Sequence, residues 1–319
     1  MSMLARNTAL ARPQLSDFAR DVIAGLQARP KWLSAKYFYD DHGSALFEAI
    51  TRLPEYYPTR TELGILTDRA GEMAALMPPG AALIEFGSGS TAKARIVLAA
   101  ASLAAYVPVD ISDGFLNSEA TRLKRDLPRL QILPVAADFT KPFALPQAIR
   151  SRPRVGFFPG STIGNFEPAE AKKFLAHAGR LLGRGAHFIV GVDLVKDPAV
   201  LDAAYNDSAG VTAAFNLNLL RRMNRELGAD FDIDGFRHRA FFNPMRSRIE
   251  MHLESRAAQT VHMGDRAFAF AAGETIHTES SYKYTVASFQ ALAAEVGWSP
   301  VAVWTDAGGY FSVHALKAR

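Results

Sequence analysis

Hydrophobic and polar positions change their period twice along this chain. Near the start, Phe18, Val22 and Leu26 recur at helical spacing, predicting a helix over residues 15–29 with Ser16 at its N-cap. Residues 31–66 are then unusually rich in aromatics between short helical patterns. From residue 82 the pattern becomes a series of short, continuous apolar runs: 82–86 (ALIEF), 105–111 (AYVPVDI), 131–136 (QILPVA), 155–158 (VGFF) and 186–194 (AHFIVGVDL). Helical patterns over 92–104 and 168–182 fill two of the gaps. Runs that are apolar at every position predict parallel strands buried on both faces by crossover helices. After Asp197 the alternation stops. Residues 199–227 read as helical, with Leu217, Leu220 and Met223 at helical spacing, and 240–285 carry strand-like segments, including 248–253 and 260–270. The chain closes with two alternating runs around Asp306–Gly309, a hairpin.

A parallel α/β unit closed by a C-terminal antiparallel hairpin predicts the class I methyltransferase architecture, a Rossmann-like seven-stranded sheet. The N-terminal segment and the insertion before the hairpin are left over. Together they predict a second, discontinuous α+β domain for substrate, which divides the chain into 1–60 plus 196–285 and 61–195 plus 286–319. A length of 319 residues is that of two domains, and 49% hydrophobic with 21% charged residues is a globular rather than a disordered composition.

Composition narrows the chemistry further. With no cysteine, the chain has no disulfides, thiol nucleophiles, iron–sulfur clusters or thiolate zinc sites, which agrees with a reducing cytoplasm. The net charge of +4 comes from scattered Lys and Arg, so nucleic acid is not an expected partner. The first 18 residues hold no apolar signal segment. The charge-free stretch 96–109 is too short to span a membrane and is interrupted by Ser102 and Pro108. We expect a cytoplasmic monomer acting on a small molecule. Eight histidines without H-x-x-x-H or H-E-x-x-H spacing predict no metal site, and no G-x-S-x-G nucleophile elbow is present.

The strongest local signal is residues 83–92 (LIEFGSGSTA), a strand passing through a glycine turn into a helix. Gly87 and Gly89 admit backbone conformations and a close ligand approach that a Cβ would obstruct. Such a turn fits a nucleotide, and its G-x-G-x-x-A also matches the dinucleotide fingerprint. Glu85 separates the two readings: a pyrophosphate wants positive potential nearby, whereas S-adenosylmethionine carries an ammonium and a sulfonium. Asp110, 21 residues past Gly89, can accept from both ribose hydroxyls. Asp138 beside Phe139 can take an adenine amino group and cover its ring. Ordinary strand-end turns would explain either acid alone, but three such features on successive strands favour S-adenosylmethionine.

On the substrate side, Asn165 follows the fourth strand, where it faces the transferable methyl or else caps the helix that starts at Pro168. Tyr37, Phe38, Tyr39, Tyr56 and Tyr57 are core aromatics or, through hydroxyls and ring faces, ligands for an amine. Glu279 and Ser281 share one face of an extended segment and could bracket the two nitrogens of an imidazole. Local sequence by itself favours a Glu279–Lys283 pair on a solvated strand.

These residues lie in segments through which the sequence resembles the histidine Nα-methyltransferase family of ergothioneine biosynthesis over nearly its whole length. The segments are YFYDDHGSALFEAITRLPEYYPTRTE, IEFGSGSTAKARIVL, PVDIS, FFPGSTIGNFEP, AYNDSAGVTAAFNLNLLRRMN and TESSYKYT. The resemblance implies three successive methyl transfers from S-adenosylmethionine to the α-nitrogen of L-histidine, giving the trimethylated product hercynine. It implies that Tyr56, Asn165 and Tyr205 hold the α-amine and carboxylate, with Asn165 and Tyr56 orienting the amine. Tyr39, Glu279 and Ser281 would surround the imidazole, with Met251 lining the pocket. Gly87, Lys93, Asp110, Asp138 and Phe139 would contact the cofactor. Ser280 is more polar than the family pattern leads one to expect, and no residue announces itself as a general base. The rival readings are the same chemistry on another amino acid or aromatic amine such as tryptophan, an NAD-dependent oxidoreductase, and a non-catalytic binding protein.

Overall fold

A computed structural model describes residues 15–319; the expectation about the first residues lies largely on 1–14, outside the described ones. Helix α1 (Asp17–Gln27) starts as its spacing predicts. Ser16 accepts from the Ala19 N–H at 3.1 Å, and Phe18, Val22 and Leu26 bury one face. A two-residue strand, β1 (Lys31–Trp32), and helices α2 (Asp41–Ile50) and α3 (Tyr57–Ala75) follow. Pro58 sits in the first turn of α3, where the helix has no use for its missing N–H.

The predicted alternation then appears as β2 (Ala81–Phe86), α4 (Ala92–Ala100), β3 (Leu103–Asp110), α5 (Asp113–Asp126), β4 (Gln131–Ile132), β5 (Val135–Ala136), β6 (Arg154–Phe158), α6 (Pro168–Leu182) and β7 (His187–Asp193). Strand β2 is buried at every position, as two-sided coverage requires. The strand predicted over 131–136 is split. Its halves β4 and β5 both pair with β3, and Pro134 between them has no N–H for the ladder.

The helix predicted over 199–227 is two helices, α7 (Pro198–Tyr205) and α8 (Val211–Leu227). Gly210 at φ +72° starts the second, and Asp207 accepts the Val211 and Thr212 N–H groups at 2.7 Å each. Beyond them lie β8 (Phe236–Asn243), β9 (Arg248–Ser255), β10 (Gln259–Met263), β11 (Arg266–Phe270), β12 (Thr275–Tyr282), α9 (Val286–Ala294), β13 (Trp298–Thr305) and β14 (Phe311–Ala318).

The larger sheet runs β13-β14-β7-β6-β2-β3-β4, with β5 also on β3. Its strands are parallel except β14, which is antiparallel to both β13 and β7. With β4 and β5 taken as one interrupted strand, this is the seven-stranded Rossmann-like sheet with a reversed C-terminal hairpin of class I methyltransferases. From the central β2 the chain crosses outward to β3 and later returns to β6 on the other side. That reversal opens a crevice at the C-terminal ends of β2 and β6.

A smaller sheet, β1-β12-β9-β8, joins the N-terminal segment to the insertion, and the strand predicted over 260–270 is instead a separate antiparallel ribbon, β10-β11, turned at Gly264 (φ +60°). The core behind the smaller sheet draws its buried residues from 18–57 and 201–276, including Phe38, Leu201, Phe215, Leu220, Ile249 and Leu253. Among the described residues no helix is long and apolar enough to cross a membrane.

Candidate active site

The crevice is built around the turn between β2 and α4. Gly87 has φ +71°, and a Cβ there would lie 3.2 Å from the Phe139 ring, so this position needs glycine for both backbone and space. At the end of β3, Asp110 accepts the Gly89 N–H at 3.3 Å and the Ser112 N–H at 2.9 Å, one on each carboxylate oxygen. Each oxygen keeps a second acceptor direction for a ribose hydroxyl. Asp138 does serve its turn, accepting the Thr140 N–H at 3.0 Å. Lys93, on α4, pairs with Glu62 at 2.6 Å, and Glu62 also accepts the Gly160 N–H at 2.9 and 2.8 Å on its two oxygens. Glu62 thereby ties the loop after β6 to the first turn of α4. Ribose acceptors, an aromatic ring against the glycine turn and an open crevice fit an adenosine-bearing cofactor.

Glu85 requires a correction. Rather than a free carboxylate beside the turn, it is 1% exposed and holds the Tyr106 hydroxyl inside the fold. Burial, the largest influence, pushes its pKa up to about 8. A group that is mostly neutral at pH 7 supplies no counter-charge to the crevice, so the electrostatic argument drawn from it does not hold.

The second half of the site depends on a β-bulge. Strands β12 and β9 pair Ile276 with Leu253 and His277 with His252, then shift register so that Glu279 faces Met251 and Ser281 faces Ile249. Thr278 occupies the bulge, its hydroxyl 2.8 Å from Asn216 Oδ1 and 3.0 Å from the Met251 carbonyl. Strict alternation from the inward-facing Ile276 would send Glu279 and Ser281 outward; the extra residue turns both inward. Ser280 and Tyr282 go to the opposite face, where Ser280 lies 3.2 Å from His277 Nε2 and Tyr282 bonds Arg248 and Glu167 at 2.8 and 2.6 Å. The polarity of Ser280 therefore does not bear on the inward face.

Around the inward face stand aromatic rings, edge to face: Tyr39 and Phe47 at 5.6 Å, Phe47 and Tyr56 at 6.4 Å, and Tyr56 and Tyr205 at 6.3 Å. Burial, then the nearby Glu279, raises the pKa of Tyr39 and Tyr205 well above the ordinary tyrosine value, and burial followed by Tyr205 and Glu279 does the same for Tyr56. All three are hydroxyl donors, not phenolates. Burial also pushes Glu279 up to about 7, against the pull of Lys283. Tyr39, Tyr56 and Glu279 keep accessible surface although they are enclosed by protein, which is how residues around an internal space behave. The two halves meet where the Ser112 hydroxyl lies 3.4 Å from the Tyr39 carbonyl.

Asn165 ends a 3₁₀ turn (Thr162–Asn165) that packs on β12 so closely that a Cβ on Gly164 would lie 2.8 Å from the Tyr282 carbonyl. The capping role open to Asn165 goes instead to Glu167, whose N–H donates to Glu170 at 3.0 Å. Among the described residues no side-chain hydrogen bond engages Asn165.

Lys283 is not on a solvated strand. It is 3% exposed and donates to Ser281 Oγ at 2.8 Å, Tyr205 Oη at 3.2 Å and Asp193 Oδ2 at 2.7 Å. Asp193, at the end of β7, also accepts from the Tyr57 hydroxyl at 2.7 Å and from Lys196 at 2.6 Å. Burial alone would raise the Asp193 pKa, but Lys283 and Lys196 outweigh it and hold the carboxylate below its ordinary range.

Sequence reasoning assigned no role to Glu62 or Asp193. Two signals existed: Glu62 falls on the stripe of Ile65, Leu66 and Met73 on α3, and Asp193, like Asp110, ends a parallel strand. The histidine spacing also concealed a cluster across β9 and β12, where Glu250, His252 and His277 bring ligand atoms within 4.8 Å of one another. Arg248 and Asn243 already engage Glu250 Oε1 at 2.8 and 3.0 Å, and the charges of Arg248 and Arg239 oppose a further cation there.

Comparison with known proteins adds an independent finding. Residues 18–318 match the family described as histidine-specific methyltransferase, SAM-dependent. The chain is 43% identical over 320 residues to histidine N-alpha-methyltransferase of Mycolicibacterium smegmatis, covering 98% of each chain. It is 42% identical over 306 residues to the protein of that name from Mycobacterium tuberculosis, covering 94% of each. Identity to ergothioneine biosynthesis protein 1 of Neurospora crassa is 32% over 315 residues, spanning 91% of this chain and 34% of that longer one.

Proposed function

Since this chain belongs to the SAM-dependent, histidine-specific methyltransferases, we propose that it methylates the α-nitrogen of L-histidine three times, giving hercynine for ergothioneine biosynthesis. The observation that carries the substrate assignment is the bulge that turns Glu279 and Ser281 onto one enclosed face opposite Met251. A carboxylate and a hydroxyl two residues apart on a strand match the two nitrogens of an imidazole ring. We take 1–60 with 196–285 as the substrate domain and the remainder as the cofactor domain; the shared core of 18–57 and 201–276 supports that division. The absence of cysteine supports a reducing, cytoplasmic setting.

S-adenosylmethionine, when bound, supplies an electrophilic methyl on a sulfonium that is already a good leaving group. The work left to the chain is alignment and exclusion of water. Asp110 takes the ribose hydroxyls, with Gly87, Lys93, Asp138 and Phe139 completing that side. Asn165, Tyr56 and Tyr205 hold the α-amine and carboxylate, and Tyr39, Met251, Glu279 and Ser281 enclose the ring. The amine must be neutral to attack, and the three tyrosines, held protonated by burial, cannot remove its proton. The proton therefore leaves to water before each transfer, and the hydroxyls and Asn165 orient the free lone pair.

The test is mass spectrometry of L-histidine incubated with the protein and S-adenosylmethionine, beside L-tryptophan. Trimethylhistidine is the expected product. Unchanged histidine together with demonstrable S-adenosylhomocysteine binding would reject the substrate and retain the fold. Glu279→Ala removes a charged hydrogen bond of about 1.5–3 kcal/mol, so kcat/KM for histidine falls roughly 10- to 150-fold.

A further inference from the structure

Lys283 stands behind the ring-binding face, in contact with Ser281 of that face and with Tyr205 beside it. An ammonium has three donors and no acceptor, and Lys283 aims them at Ser281 Oγ, Tyr205 Oη and Asp193 Oδ2. The Tyr205 hydroxyl donates to Ser281 Oγ at 2.8 Å. Ser281 Oγ thus accepts twice, once from Lys283 and once from Tyr205, and both its lone pairs are occupied. The one hydrogen-bonding capacity it has left is its own proton, which can only be donated into the pocket. Glu279, opposite Met251 on the same face, can accept as a carboxylate.

We propose that Lys283 is a positioning residue that sets the hydrogen-bond polarity of this face, making Ser281 a donor and Glu279 an acceptor, so that the site takes only the neutral imidazole, with its proton on the nitrogen facing Glu279. This rests on the assignment of Glu279 and Ser281 to the imidazole. An imidazolium would present a second N–H to a hydroxyl with no free lone pair, in a site that already holds a lysine cation. The opposite tautomer would set two acceptors, the ring nitrogen and the carboxylate, against each other. A protonated Glu279 would likewise lose the ring N–H. The groups facing Glu279 are Lys283, just past the end of its strand, and Tyr39, Tyr56 and Tyr205 from other elements, and the tyrosines do not ionise in the working range. Lys283 is thus the charge that favours its anion.

The direct experiment uses the wild-type protein with S-adenosylhomocysteine and ring-15N histidine at about pH 6, where free imidazole, with a pKa near 6.5, is mainly protonated. The expected spectrum of bound histidine has one pyrrole-type and one pyridine-type nitrogen, a single neutral tautomer. Two pyrrole-type signals, or an averaged pair, would overturn the inference. The variant Lys283→Met removes all three donors. If it retains S-adenosylhomocysteine binding, its kcat/KM for histidine falls at least tenfold at about pH 6, and the acid limb of the profile moves to higher pH, because Glu279 without its cation binds a proton more readily. The ionisations of histidine itself are common to both proteins and cancel in the comparison. A loss that is uniform across pH makes Lys283 merely structural and defeats the proposal. Failure of the underlying site assignment looks different: Glu279→Ala would then leave histidine turnover unchanged.

Discussion

Glu279→Gln should make the ligand-free protein more stable at neutral and alkaline pH while disabling it toward histidine. Burial pushes the Glu279 pKa up to about 7 from its ordinary value of 4.5. The sign follows from where each state holds its proton. Below about pH 4.5 the carboxyl is protonated folded and unfolded, and glutamine gains nothing. Between the two values the unfolded chain releases its proton while the folded one retains it, so wild-type stability falls with rising pH relative to the variant. Above about pH 7 the difference reaches a plateau. At 1.36 kcal/mol per unit the shift corresponds to about 3 kcal/mol, and because Glu279 lines a space that water can enter, roughly 1–3 kcal/mol is the working figure. For a protein of this size that is a Tm gain of about 2–10 °C. The assay is thermal unfolding of both proteins from about pH 5 to about pH 8.5, plotted as the difference in Tm against pH. Histidine with S-adenosylhomocysteine should narrow the gap, since the ring N–H gives the carboxylate the partner it lacks. A variant less stable than wild type at high pH, or a difference independent of pH, would refute burial as the cause.

Other perturbations separate the parts of the site. Gly87→Ala places a side chain at φ +71° and 3.2 Å from Phe139; with about 1–2 kcal/mol of backbone strain, S-adenosylhomocysteine affinity by calorimetry should fall at least tenfold, and an unchanged Kd would count against Gly87 as a contact. Glu62→Gln leaves Lys93 without its counter-ion and weakens the hold on Gly160. Breaking such a pair costs about 3–5 kcal/mol when fully buried, so a lowered Tm and weaker cofactor binding are expected together, and loss of neither would show the pair to be idle. Glu279→Ala should slow all three methyl additions by a common factor in a mass-spectrometric time course, because the ring end is the same in every step. Asn165→Ala should instead change their ratios; the reverse pattern would exchange the ends of the pocket.

The sheet was legible because its strands are buried on both faces and so stand out as unbroken apolar runs, and because the closing hairpin has the expected turn residues. Pro134, Gly210 and Gly264 mark the three places where a single predicted element is divided, and each acts through backbone geometry that periodicity does not register. For the site, the shared face of Glu279 and Ser281 was legible from period two alone. Which way that face points was not, since the bulge at Thr278 depends on Asn216 of α8, some sixty residues earlier in the chain. Glu85 and Lys283 failed in opposite directions for one reason. Nothing local says that Tyr106 will close over the first or that Asp193 will draw the second inside. Charged residues are expected at the surface until tertiary partners are known.

The distribution of charge across the pocket matches the demands of a repeated transfer. In the proposed series the α-nitrogen passes from a primary amine to a permanent cation with no hydrogen left to donate. A carboxylate at that end would hold the incoming ammonium protonated, opposing each attack, and would bind the final cation tightly, opposing its release. The groups assigned there, Asn165, Tyr56 and Tyr205, are uncharged, and burial keeps the tyrosines so. Ring edges and hydroxyls can lie beside a cation without a full counter-charge. The groups that carry or can carry charge, Glu279, Lys283, Asp193 and Lys196, gather instead at the ring end and behind it. There the substrate does not change from step to step, so a strong and directional anchor binds all four nitrogen states equally. Uniform binding of this kind adds nothing to the chemical step itself. Its value is retention: an intermediate held by its ring can lose a proton at the other end, and be presented again, without giving up its place.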